Sequence, residues 1–174
     1  MERVLEQLNS LSADEAEVQF RKCCGSTAWA SNTAAERPFA TLSELITKAD
    51  DIWWSLKPHD WLEAFRCHPK IGEKKAADQI SLEAQKWSEQ EQAGVGNVTQ
   101  ATTQALTELN QEYEEKFGYI CIVCATGKSS AEMLASLRAR LKNDPDTELR
   151  TAAGEQAKIT QLRLKKLIDS FEIA

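Results

Sequence analysis

Only two histidines occur in the chain, so imidazole chemistry has two candidate carriers. His68 stands in Phe65-Arg66-Cys67-His68-Pro69-Lys70-Ile71-Gly72. The proline restricts the residue before it to extended or turn geometry, and the glycine beyond adds backbone freedom. The ring therefore leaves a helix end at a bend that can aim it into a cleft. An imidazole there could take up and return a proton within one reaction cycle. The alternative is a partly buried histidine that satisfies a backbone carbonyl, and the turn alone does not separate the two. His59, in Lys57-Pro58-His59-Asp60, reads as a solvated turn residue.

The second cluster is Ser88-Glu89-Gln90-Glu91-Gln92. Ser88 and Glu91 have capping-box spacing, which predicts the start of a short helix. The same helix N-terminus would offer amide donors to a polar ligand, with Glu91 accepting its N–H groups. Both readings use the same atoms. In the C-terminal stretch Ile159, Arg163 and Leu167 recur every four residues, so Arg163 shares a face with apolar neighbours and needs an anionic partner. That partner is either an internal carboxylate or a bound ligand. Lys158, Lys165 and Lys166 are assigned to the solvated face.

Cys121 and Cys124 have Cys-x-x-Cys spacing and Cys23-Cys24 are adjacent. A zinc or thiol site is the rival they raise, but Ile122 and Val123 make an apolar stretch where a chelating turn is needed, so buried free thiols are expected and no metal is assigned. The tryptophans, Trp53, Trp54 and Trp61 among them, are expected to pack rather than to stack on bases. No glycine-rich phosphate loop or Gly-x-Ser-x-Gly elbow is present.

The elements that must position these groups are mostly helical. Ser12 with Glu15, Thr41 with Glu44 and Ser129 with Glu132 predict helix starts. Leu42, Leu45, Ile46, Ala49, Ile52, Trp53 and Leu56 follow helical periodicity up to Pro58. Trp61, Leu62 and Phe65 predict a short helix before His68; Ile80–Trp87, Thr99–Phe117 and Thr147–Ile168 predict further ones, with Gly94 and Gly96 in a loosened connection and Asn143–Asp146 as a turn. Gly118 is placed as a left-handed cap. Tyr119–Ala125, apolar and rich in β-branched and aromatic residues, is either an extended buried segment or a helix start. The expected fold is an all-α, single-domain helical bundle over 1–174 with one short extended apolar segment.

Composition narrows the partners. At 174 residues one domain is the simplest organisation, and no internal repeat or low-complexity block divides it. The net charge of -6 gives phosphate backbones little attraction, so nucleic acid is not an expected partner. No apolar run approaches the ~20 residues that span a bilayer, so no membrane partner is expected and the chain should be soluble. Five cysteines, an odd number, argue against a disulfide scaffold and for a reducing compartment. Phe171-Glu172-Ile173-Ala174 lacks a Ser-Lys-Leu address; peroxisomal or cytoplasmic placement is the expectation.

Taken together, His68-Pro69-Lys70-Ile71-Gly72, Ser88-x-x-Glu91-Gln92, Phe117-Gly118-Tyr119-Ile120 and Lys158-Ile159-x-x-x-Arg163-Leu164 resemble the OHCU decarboxylase family. Trp61-Leu62-Glu63-Ala64-Phe65 is similar to its plant branch, where a transthyretin-like hydroxyisourate hydrolase follows this domain. The resemblance implies an all-helical homodimer, fused to or working with such a hydrolase. It implies no cofactor. The small-molecule substrate would be OHCU (2-oxo-4-hydroxy-4-carboxy-5-ureidoimidazoline), decarboxylated to (S)-allantoin in urate degradation.

His68 would carry the proton and Glu91 would bind substrate N–H groups and orient the histidine. Ser88 and Gln92 would meet further polar edges, Arg163 an anionic oxygen, and Pro69 would shape the wall. Backbone groups of Ile122, Val123 and Cys124 would complete the pocket. A noncatalytic helical interaction domain, with the same residues as caps and turns, is the main rival.

Overall fold

The computed structural model describes residues 2–71, 82–93 and 99–172. Gly72, Ile80, Gly94 and Gly96, named above, lie outside them. Among the described residues the secondary structure is helical, without a strand: α1 (Glu2–Ser10), α2 (Ala13–Cys23), α3 (Thr27–Ala35), α4 (Leu42–Ser55), α5 (Pro58–Arg66), α6 (Leu82–Glu91), α7 (Gln100–Phe117), α8 (Ser130–Arg140) and α9 (Pro145–Glu172). The all-α expectation holds. Internal contacts divide the chain into two compact units, Met1–Ala64 with Ala157–Ala174, and Phe65–Gln156.

Helix ends follow side chains that satisfy orphan backbone groups. Ser12 Oγ accepts from the Glu15 amide at 3.3 Å while Glu15 Oε2 accepts from the Ser12 amide at 2.9 Å. Ser129 and Glu132 repeat this reciprocal pair at the start of α8. Thr41 accepts from the Glu44 amide at 3.0 Å, but Glu44 Oε2 takes the amide of Ala40 at 2.8 Å, one residue before the cap. Gly118, at φ 79°, ends α7 and donates to the Glu114 carbonyl at 2.8 Å. That positive φ is where a side chain would be strained. α9 begins at Pro145, earlier than Thr147, because a proline in the first helical turn needs no donor and Asp144 caps the Thr147 amide at 3.0 Å.

In the first unit, Phe20 meets Trp29 and Phe39 edge to face at 6.0 and 6.4 Å between centroids. The Trp29 indole donates to the Ala49 carbonyl at 2.9 Å and the Trp61 indole to the Trp53 carbonyl at 2.9 Å, so these buried rings carry no unmet donor. α3 has little apolar periodicity to announce it; Ser26 caps the Trp29 amide, and Glu63 holds the Thr27 hydroxyl at 2.6 Å. Trp54 departs from the packing expectation: it is 44% exposed, leaning edge-on against Trp61. Lys158 and Lys165 are exposed as expected, whereas Lys166 is half-buried.

The second unit has its own core of Ile71, Leu106, Tyr113, Cys121, Val123, Ala125, Met133 and Leu137. Three of these come from the run after Gly118. That run is neither helix nor ladder strand over Ile120–Ala125, which resolves the ambiguity in favour of a buried irregular segment.

Candidate functional site

His68 leaves α5 on a short turn, its amide donating to the Phe65 carbonyl at 3.1 Å. The turn is docked on both sides. Phe65, fully buried, packs on the Tyr119 ring at 5.5 Å; Ile71 enters the core, and its carbonyl accepts from Asn110 Nδ2 at 3.1 Å. Lys70 and Glu114 add an ion pair at 2.6 Å. Because both are substantially exposed, that pair contributes at most about 1 kcal/mol. The half-buried imidazole is held by a side chain: His68 Nε2–H donates to Gln156 Oε1 at 2.7 Å. Gln156 is wholly buried on α9. Pro69, beside the ring, is half-buried.

Gln156 was not among the residues singled out from sequence, nor was its neighbour Glu155. The Glu155 carboxylate accepts from the Cys124 amide at 2.8 Å and lies 3.5 Å from Lys128 Nζ. Consecutive residues of α9 thus anchor the His68 ring and the Ile120–Ala125 segment. A signal for Gln156 existed: it precedes Ile159 by three and Arg163 by seven residues, which puts it on the inward face by helical period.

Around that segment Arg140 gathers a buried polar cluster. Its guanidinium donates to the Ile122 carbonyl and to Glu148 Oε1, the latter through Nε at 2.8 Å and Nη2 at 2.5 Å. Tyr113 also donates to Glu148 Oε1, and Asn143 Nδ2 donates to Oε2 at 2.8 Å. Burial, ahead of the charges of Cys121 and Glu148, holds the Tyr113 phenol above its ordinary range, so it stays a donor.

Val123 lies between the two held peptide groups. It is 9% exposed, and neither its amide nor its carbonyl has a hydrogen-bond partner among the described residues. Buried main-chain groups are almost always paired, so an open donor and acceptor at one residue invite a ligand or water.

Ser88, Glu91 and Gln92 correct the helix-start expectation. Ser88 and Glu91 lie in the last turn of α6, and the Gln92 amide donates to the Ser88 carbonyl at 3.2 Å, continuing the helical pattern. The Ser-x-x-Glu spacing is therefore not a cap here, and the amide-rich end of a helix is not what these residues present. Ser88 and Glu91 are buried, at 6% and 8% exposure. A carboxylate at the carbonyl-rich end of a helix, where Glu91 stands, is opposed by the helix dipole. Its charge reaches Cys124: burial first, then Glu155 and Glu91, push that thiol above its usual range. The Cys121 thiol, buried, is pushed up to about 12. Among the described residues the five cysteines are free thiols, and no group of three or more His, Cys, Asp or Glu is arranged to hold a metal.

Arg163 belongs to the first unit, on the inward face of α9 as expected. It is 5% exposed, with Ile159 and Leu167 buried on either side. His59 is exposed and pairs locally with Asp60 at 3.2 Å. Among the described residues no helix is long and apolar enough to cross a membrane.

Comparison with known proteins gives the arrangement a context. The family model for OHCU decarboxylase matches residues 9–165. The uric acid degradation bifunctional protein TTL of Arabidopsis thaliana is 38% identical over 158 residues, 90% of this chain and 48% of that protein. The 2-oxo-4-hydroxy-4-carboxy-5-ureidoimidazoline decarboxylase of Amia calva is 31% identical over 170 residues, 94% of each chain. A crystal structure of OHCU decarboxylase in the presence of (S)-allantoin superposes with a TM-score of 0.74 at 38% identity, covering 87% of this chain and 97% of that one. The chain spans about half the length, or less, of the bifunctional relatives it matches.

Proposed function

The chain belongs to the OHCU decarboxylase family, and from that premise we propose that it is a carboxy-lyase that converts OHCU to (S)-allantoin and CO2 in urate degradation. The reaction is redox-neutral. As the carbon–carboxylate bond breaks, its electron pair forms a ring C=C bond, and the adjacent imine nitrogen takes a proton. The resulting enol gives up its hydroxyl proton to become a carbonyl, while the carbon bearing the ureido group receives a proton on one face. Each step is proton movement, so the protein must supply a carrier at a fixed position and a surface that holds one face of the ring.

His68 is the carrier in this reading. The observation that carries it is the pairing of an imidazole on a docked turn with a wholly buried amide, Gln156, whose neighbour anchors the segment bearing the open main-chain groups of Val123. Glu91 accepts substrate N–H groups and Ser88 and Gln92 meet its remaining polar edges. Pro69 forms wall, and Ile122, Val123 and Cys124 supply main-chain contacts. Two of those contacts are already engaged within the protein, the Ile122 carbonyl by Arg140 and the Cys124 amide by Glu155, whereas Val123 keeps both its amide and its carbonyl open. Arg163 binds the anionic oxygen as charge redistributes. We further propose the homodimer of the family and action alongside, or fused to, a hydroxyisourate hydrolase.

The test generates OHCU in situ from urate with upstream enzymes and follows the circular dichroism of allantoin with and without the protein. Faster appearance of the S enantiomer supports the reading. An unchanged, racemising time course overturns it.

A further inference from the structure

The Ile120–Ala125 segment has no helix and no ladder to fix its backbone, yet it is buried and bears the open groups of Val123. Two charged side chains hold it, from α8 and α9: Arg140 on the Ile122 carbonyl and Glu155 on the Cys124 amide. In a trans peptide the carbonyl and the amide point in opposite directions. Pinning the Ile122 carbonyl toward Arg140 therefore turns the Val123 amide away from it. Pinning the Cys124 amide toward Glu155 turns the Val123 carbonyl away from Glu155.

We propose that Glu155, with Arg140 as its counterpart, is a positioning residue that fixes the direction of the Val123 amide and carbonyl and so sets how tightly, and by which face, the substrate is held. The proposal rests on the decarboxylase reading above, and it gives a role to a residue that need not touch the substrate. Arg140 is already oriented by Glu148, Tyr113 and Asn143 behind it. Glu155 is the more accessible half of the clamp, its side chain 13% exposed with Lys128 beside it, so it can be altered without stranding a fully buried charge.

What the clamp needs from Glu155 is an acceptor oxygen at the right reach rather than a charge. Glu155→Gln keeps the reach and loses the charge; Glu155→Asp keeps the charge and withdraws the oxygen by one methylene; Glu155→Ala removes both. Steady-state decarboxylation of OHCU and the enantiomeric excess of allantoin are measured for each, with thermal melts to confirm folding. Glu155→Gln is expected to stay within about threefold of wild type. Glu155→Asp and Glu155→Ala are expected to raise KM by about tenfold or more with kcat much less affected, and to lower the S excess, because a preorganised contact becomes a floppy one.

A purely structural role would lower the melting temperature without splitting KM from kcat. If Glu155→Ala fails to fold, Glu155→Asp carries the comparison. Wild-type KM and enantiomeric excess in Glu155→Asp, or equal impairment in Glu155→Gln, overturn the clamp while leaving the decarboxylase reading intact. A wild-type protein without activity on OHCU overturns both.

Discussion

Replacing Arg140 by methionine tests whether the polar cluster of the second unit is as strongly coupled as its geometry demands. The substitution keeps most of the aliphatic stem and deletes the guanidinium, so the change is electrostatic more than steric. Glu148 is 0% exposed and would lose its counter-charge while keeping Tyr113 and Asn143 as donors. Breaking a buried pair from one side costs about 3–5 kcal/mol, and the two surviving donors put this case near the lower end. The Ile122 carbonyl also loses its donor, which adds about 1 kcal/mol. The expected loss is about 4 kcal/mol, a large share of the ~5–15 kcal/mol that typically separates folded from unfolded.

Urea denaturation followed by circular dichroism measures it, and Arg140→Met combined with Glu148→Leu closes a double-mutant cycle. Removing both charges should be milder than the sum of the singles by about 2–3 kcal/mol, because neither charge is then left buried alone. A single-variant loss under about 1 kcal/mol, or additivity within about 0.5 kcal/mol, would refute the coupling.

Three further outcomes are expected. His68→Asn should fold normally and lose about 10²-fold or more in kcat, as removal of a general acid–base does; near-normal turnover would remove the histidine from the mechanism. Arg163→Ala should weaken inhibition by (S)-allantoin by about tenfold or more, the scale of a lost charge-assisted hydrogen bond, and an unchanged inhibition constant would contradict its ligand role. Stability should fall as pH rises from 9.0 toward about 12, because in that window Cys121 releases its proton in the unfolded chain but keeps it in the fold. Tyr119, also pushed up to about 12, chiefly by burial, acts in the same direction. Denaturation midpoints across this range should slope downward, and Cys121→Ala should flatten the slope.

The parts of this fold that were legible in the sequence are those decided within a few residues. Ser12, Ser129 and Thr99 start helices because their hydroxyls reach amides three residues on, and Gly118 stops one because it can adopt positive φ. The His68 turn was legible for the same reason, since Pro69 acts on its immediate neighbour.

Ser88-x-x-Glu91 was misjudged because that spacing is equally compatible with a helix interior, and nothing local reveals that α6 runs on past Trp87. The conformation of Tyr119–Ala125 was undecidable locally. Arg140 acts on it from 18 residues away and Glu155 from 31. Gln156 was missed since a polar residue on an inward helical face is conspicuous only when its partner, 88 residues distant, is known.

An open amide and carbonyl at Val123 also change where inheritance can tolerate drift. Main-chain groups are the same whatever side chain they carry, so isoleucine or leucine at that position would present an identical donor and acceptor, and proline alone would delete the donor. The selective burden moves to Arg140 and Glu155, which secure the backbone from behind. Relatives that bind the same guest in this way should therefore diverge at the point of contact while guarding residues that sit away from it.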